Sequence, residues 1–159
     1  RIMIKIKSVL IIALLVMFST NSCTYQKMNA LDQKKFHIME FEIEGDARET
    51  FIIQKKIQRF SNKESKNKIK ILIKLKNDKS IKEKNIQNKV VKYELKLSAN
   101  LKIIELGSTK EIIRNFSANQ IFTVEDRYSN TVNNEKEANN LLIDKIVNEI
   151  LDQLRIYYS

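Results

Sequence analysis

The sequence predicts an α/β fold, a two-layer sandwich with two helices packed on one face of a roughly four-stranded sheet, in the order β-α-β-β-β-α. Three observations predict it. Apolar and polar residues alternate through "KFHIMEFEIEGD", "KIKILIKLKN" and "VKYELKLSANLKII", and a period of two marks a strand with one dry and one wet face. Between the first two lies a segment of helical spacing, and the chain ends in a longer stripe of Leu and Ile at steps of three and four. Strands with one wet face need helices on the other face only, which is a two-layer sandwich.

In the first strand Met39, Phe41 and Ile43 alternate with Glu40, Glu42 and Glu44, and Gly45 breaks it. Asp46 with Glu49 three residues on resembles a capping box, and the acids suit the positive end of a helix. Phe51, Ile53, Ile57 and Phe60 would form its apolar side, with the helix fading near Asn62. In the next strand Ile69, Ile71, Ile73 and Leu75 face one way and Lys68, Lys70, Lys74 and Lys76 the other. "DKSIKEKNIQNK" has no clear period, and leaves room for a short extra strand near Ile81 to Gln87. A long strand from Val91 to Ile103 turns at Gly107-Ser108 and returns as Ile112 to Val124, with Phe116, Ala118, Phe122 and Val124 on one side. Asn133 and Asn134 would open the last helix, with Glu135 and Glu137 in its first turn. Its stripe is Ala138, Leu141, Leu142, Val147, Ile150, Leu151 and Leu154, widened by Ile143 and Ile146.

Ahead of the folded part, "VLIIALLVMFSTNSCTYQ" places ten apolar residues, Val9 to Phe18, after Lys5 and Lys7. Ten residues rise about 15 Å as a helix, and a bilayer core of about 30 Å needs about 20. A basic flank, a short apolar core and small residues before a cut point describe a secretory signal peptide. The lone cysteine, Cys23, follows Ser22 directly and resembles the lipobox of bacterial lipoproteins, where the sulfur takes a diacylglycerol. An ordinary cleaved signal or an uncleaved anchor are the alternatives. The expected organisation is a signal peptide over 1–22, a lipid-anchored tether over 23–35 and a single α/β domain over 36–159. Two or three acyl chains hold a protein stably where one is marginal. Thr24, in place of Asp, favours the outer membrane.

The net charge of +10 comes with 23 Lys against 6 Arg, a skew that suggests compositional bias behind part of it. A basic chain invites nucleic acid or anionic lipid, and export argues against nucleic acid. Two separate glycines cannot build a phosphate-cradling loop. One histidine, His37, has no second His or Cys to share a metal, and an acylated Cys23 is no nucleophile. Glu125-Asp126-Arg127 is the only compact charged trio at a plausible site edge, better read as a solvated strand end than as an acid–base site. The expectation is a protein that is not an enzyme and uses no cofactor or metal.

Three stretches together resemble the LPS-assembly lipoprotein LptE family: "CTYQ" at the lipobox-like cysteine, the hairpin "VKYELKLSANLKIIELGSTKEIIRNFSANQIFTVEDRY", and the terminal "NEKEANNLLIDKIVNEILDQLRIYY". The resemblance implies an outer-membrane lipoprotein facing the periplasm, which assists assembly of the lipopolysaccharide-translocating β-barrel LptD, plugs it, and binds lipopolysaccharide in transit. It also makes Lys82, Lys84, Lys89 and Lys92 candidates for contact with lipid A phosphates, as point charges. The bland competitor is a solvated lysine face. Another periplasmic lipoprotein, such as an auxiliary subunit of a lipid-transport ABC system or an activator of peptidoglycan synthases, would share the anchor and the fold.

Overall fold

The computed structural model of the chain describes residues 35–158. The signal, nearly all of the tether and Cys23 lie outside the described residues. Six elements follow one another: β1 (His37–Glu44), α1 (Ala47–Gln58), β2 (Lys68–Lys84), β3 (Val90–Glu105), β4 (Glu111–Thr123) and α2 (Tyr128–Tyr158). The strands form one sheet in the order β1-β2-β3-β4. β1 runs parallel to β2, with α1 as the crossover, and the other pairs are antiparallel. This is the expected two-layer α/β sandwich.

The helix-side face of the sheet carries Ile69, Ile71 and Ile73 of β2, and Leu95, Leu97, Leu101 and Ile103 of β3, all buried. Against them pack Ile53 and Ile57 of α1 and Leu142, Ile146, Ile150 and Leu154 of α2. The open face is an ion-pair lattice. Lys70 sits 2.8 Å from Glu40 and 2.6 Å from Glu42, Lys74 meets Glu44, and Lys102 meets Glu111. Hydrogen bonds to Glu40, then Glu42, hold the Lys70 ammonium above its usual pKa. Cross-strand opposite charges of this kind fix register more than they stabilise.

Five local expectations are corrected. In β1 a bulge between Ile38 and Glu40 turns Met39 outward, and Ile38 packs on the core in its place. In α1 Phe51 is 63% exposed, because two residues before Ile53 is a rotation of about 200° on a helix; the inner position one turn before Ile53 goes to Glu49. Asp46 does cap the helix, its Oδ1 accepting from the N–H of Arg48 and Glu49 at 3.0 and 3.3 Å. The Glu49 side chain, however, turns inward rather than back to the cap. In α2 the helix starts at Tyr128, not at Asn133. Neither Pro nor Gly interrupts 125–133, and a nucleated helix propagates until something stops it. Asn134 instead donates from Nδ2 to the Thr123 carbonyl at 3.1 Å, tying the helix to the end of β4. Leu141 is half-exposed beside β4 rather than in the stripe.

At the far end of α2, the Phe36 and Tyr158 ring centroids lie 5.8 Å apart. Burial, aided by Glu105 and Tyr157, pushes the Tyr158 phenol up from 10.0 to about 12. The folded state therefore holds this proton more tightly than the unfolded chain. Its contribution is complete below pH 10.0 and is lost as the pH rises through about 12. Alkaline titration followed by circular dichroism should show stability falling through that window, and Tyr158→Phe should remove this share of the fall.

Candidate functional site

The unassigned stretch "DKSIKEKNIQNK" proves to be the far half of β2 and its turn, not a separate strand. β2 pairs with β3 from Ile69 opposite Glu105 to Lys84 opposite Val90. Residues 76–84 of β2 are exposed throughout, so no alternation was imposed on them. They are strand because the β3 ladder holds them there, context overriding propensity. The last rung between β3 and β4 pairs Lys92 with Thr123, so the tip from Lys84 to Val90 stands past the end of β4.

Asn85 builds the turn. Its backbone N–H donates to the Lys89 carbonyl, and its carbonyl accepts from the Asn88 N–H, each at 2.9 Å. Its Oδ1 accepts from the N–H of Gln87 and Lys89 at 3.0 and 2.9 Å. Asn88 takes φ +61°, a conformation asparagine tolerates better than most residues. Ile86, fully exposed, is the outermost apolar side chain, with Ile81 half-exposed behind it.

All four candidate lysines fall on this hairpin end, and its structure divides them. Lys82 lies 3.5 Å from Glu94, and Lys92 lies 2.6 Å from Glu83. Lys84 and Lys89 flank the tip and show no ion-pair partner among the described residues. The first pair is thus committed to the sheet, and the second pair is offered to solvent around Ile86. A basic rim around an exposed isoleucine can meet an anionic amphiphile, with phosphate at the ammonium groups and hydrocarbon at the tip.

Two polar residues that sequence reasoning missed close the core beneath the hairpin. Lys79 Nζ lies 4.6 Å from the Tyr93 ring centroid and 5.1 Å from that of Phe122, and pairs with Glu135 at 2.7 Å. A cation on two ring faces and one carboxylate is a structural lid. Glu49, 4% exposed, accepts at Oε1 from Asn77 Nδ2 at 2.6 Å and from Asn139 Nδ2 at 2.9 Å, joining α1, β2 and α2. Helical spacing alone could have placed Glu49 inward, one turn before Ile53. His37 and the Glu125–Arg127 trio converge on no common site, and no helix among the described residues is long and apolar enough to cross a membrane.

No family model and no curated protein matches the chain. Solved structures match in fold. A candidate lipoprotein from Caulobacter crescentus superposes with a TM-score of 0.54 at 7% identity, covering 80% of this chain and 92% of the other. Rare lipoprotein B from Shewanella oneidensis gives 0.52 at 10%, covering 72% and 92%. An uncharacterized lipoprotein B from Nitrosomonas europaea gives 0.52 at 17%, covering 79% and 86%. At these identities the likeness is one of fold: the described domain has the same sandwich as these proteins.

Proposed function

We propose that this protein is a lipoprotein, acylated at Cys23 and held on the periplasmic face of the outer membrane. There it assists assembly of the lipopolysaccharide-translocating β-barrel LptD, plugs it, and contacts lipopolysaccharide as it passes to the outer leaflet. The observation that carries the reading is the hairpin tip, where Lys84 and Lys89 rim an exposed Ile86 on a sandwich shared with proteins named as lipoproteins. The lipobox-like Cys23 and the three stretches resembling the LptE family support it further.

Two experiments test it. The chain is expressed in a Gram-negative host and recovered from detergent-solubilised outer membrane, with mass spectrometry of its N-terminus and of co-purifying proteins. Triacylated Cys23 with a stoichiometric β-barrel is expected. A lipid-transport ABC system or a peptidoglycan synthase in its place would overturn the LptD reading, and an unmodified N-terminus would overturn the anchor.

The second experiment addresses the tip. The double variant Lys84→Glu/Lys89→Glu should weaken binding to lipopolysaccharide micelles by at least about tenfold at low salt, given about 1 kcal/mol for each lysine near an anionic surface. Its thermal unfolding should match the parent within about 0.5 kcal/mol, as exposed substitutions do. Unchanged binding would remove the tip lysines from the function. Reversing Lys82 or Lys92 is less clean, since each would then oppose Glu94 or Glu83.

A further inference from the structure

The two edges of the described sheet are built differently. β1 is eight residues long, bulged at Met39, and lined by Glu40, Glu42 and Glu44. A short, bulged, charged edge resists pairing with another strand. β4 is thirteen residues long. Its ladder with β3 runs unbroken from Glu111 opposite Ile104 to Thr123 opposite Lys92. It has no proline, no glycine, no lysine and no bulge, and among the described residues no strand pairs with its outer side. Its only charges are Glu111 and Arg114. On the open face it presents Ile113, 53% exposed, and Ile121, 43% exposed. Of the usual protections of an edge, β4 carries only these two charges and the hydrogen bond from Asn134 to the Thr123 carbonyl at one end.

The sequence of β4 also has nearly the same pattern in both directions. In "EIIRNFSANQIFT" the middle residue is Ser117. Antiparallel pairing of two copies about Ser117 sets Ile113 opposite Ile121, Asn115 opposite Asn119, Ile112 opposite Phe122, and Ser117 opposite itself. Arg114 meets Gln120, large Phe116 meets small Ala118, and Glu111 meets Thr123 at the ends. Each pair matches apolar with apolar or polar with polar, and no like charges oppose. Shifting the pivot to Phe116 sets Ile113 against Asn119, and shifting it to Ala118 sets Ile113 against Thr123. Both lose the isoleucine pair. Such a two-fold contact is isologous, the commonest way for a chain to meet its copy.

We propose that β4 is a dimerisation edge: two copies of this chain join antiparallel about a two-fold axis at Ser117, making one eight-stranded sheet. Ile113 and Ile121 of each copy become neighbours across the seam on the open face. On the other face the groove between β4 and α2, lined by Phe122, Glu137 and Leu141, opens onto the same seam, where half-exposed Leu141 of each copy gains cover. Because the strands run antiparallel, the two hairpin tips point to opposite ends and stay open. The dimer is therefore independent of the lipid contact proposed for the tip.

The test is site-specific cross-linking of the full chain in membranes solubilised in mild detergent. Ser117→Cys places two thiols on the axis, where directly opposed residues have Cβ atoms about 4.5–5.5 Å apart, close enough for a disulfide after a small adjustment. Ser98→Cys is the control. Ser98 sits opposite Ser117 on the neighbouring inner strand, with hydroxyls 3.5 Å apart, but away from the edge. On mild oxidation S117C should migrate as a disulfide-linked homodimer, while S98C and the parent should not, and the parent, once separated from any co-purifying β-barrel, should sediment at twice the chain mass. Adding Ile121→Lys, an exposed change checked for folding by circular dichroism, should cut the cross-linked fraction by about tenfold, the effect of about 1.4 kcal/mol. Equal cross-linking of S117C and S98C, or a parent of single-chain mass, overturns the proposal. An adduct of S117C with another protein would seat a different partner on the edge and would overturn it as well.

Discussion

Ile71→Ala should destabilise the domain by about 2–5 kcal/mol, the usual cost of emptying a packed isoleucine site. Ile81→Ala, further along the same strand and on the same face, should change stability by no more than about 0.5 kcal/mol. Both residues sit at alternate positions of β2 and both pair with β3, Ile71 opposite Ile103 and Ile81 opposite Tyr93. The difference lies in what covers them. Ile71 is 0% exposed beneath the helices, whereas Ile81 is half-exposed at the start of the hairpin tip. Denaturant unfolding of the two variants checks the contrast through their midpoints at constant slope. A comparable loss in both would mean that the tip packs against something, and would weaken its reading as a solvent-facing contact.

Gly45→Ala should also be costly, by about 2–6 kcal/mol, the sum of a conformational and a packing cost. Gly45 has φ +148°, a region almost reserved for glycine and worth about 1–3 kcal/mol of strain in any other residue. A Cβ there would stand 2.9 Å from Leu75 Cβ, an atom fixed to the β2 backbone that no rotamer change can move. Relieving that overlap adds a cost of about 1–3 kcal/mol, as overpacking generally does. Gly107→Ala is the matched control. Its φ is +89° and its added Cβ would meet nothing within 4 Å, so only the conformational cost of about 1–2 kcal/mol remains. Equal midpoints for the two variants would rule out the close approach of the β1–α1 corner to Leu75.

The tip lysines show how far sequence reasoning reached and where it stopped. Choosing Lys82, Lys84, Lys89 and Lys92 needed only their clustering and the resemblance of the following strand. Separating Lys84 and Lys89 from the two paired lysines needed the β2–β3 register, which sets Glu83 opposite Lys92 and lets Lys82 reach Glu94. Pairing across strands depends on bulges as well as on alternation, and β2 shifts register between Ile81 and Lys84. No count along one strand could have foreseen that shift. The inward turn of Glu49 is a similar case. Its acid was read as a capping-box partner, a local role, but Asn77 and Asn139, far along the chain, offered it two amides in the interior.

Periodicity alone was enough for the element types, their order, the one-sided burial of the sheet and most of its core, because burying one face imposes a repeat of two on strands and of about 3.6 on helices. Where burial imposes nothing, the chain carried no such mark. The exposed far half of β2, the first turns of α2 and the outward turn of Met39 were decided by pairing and packing with residues remote in sequence. The placement of β4 at an edge was decided in the same way: its near-palindrome is written in thirteen residues, but only the sheet order leaves its outer side open to a second strand.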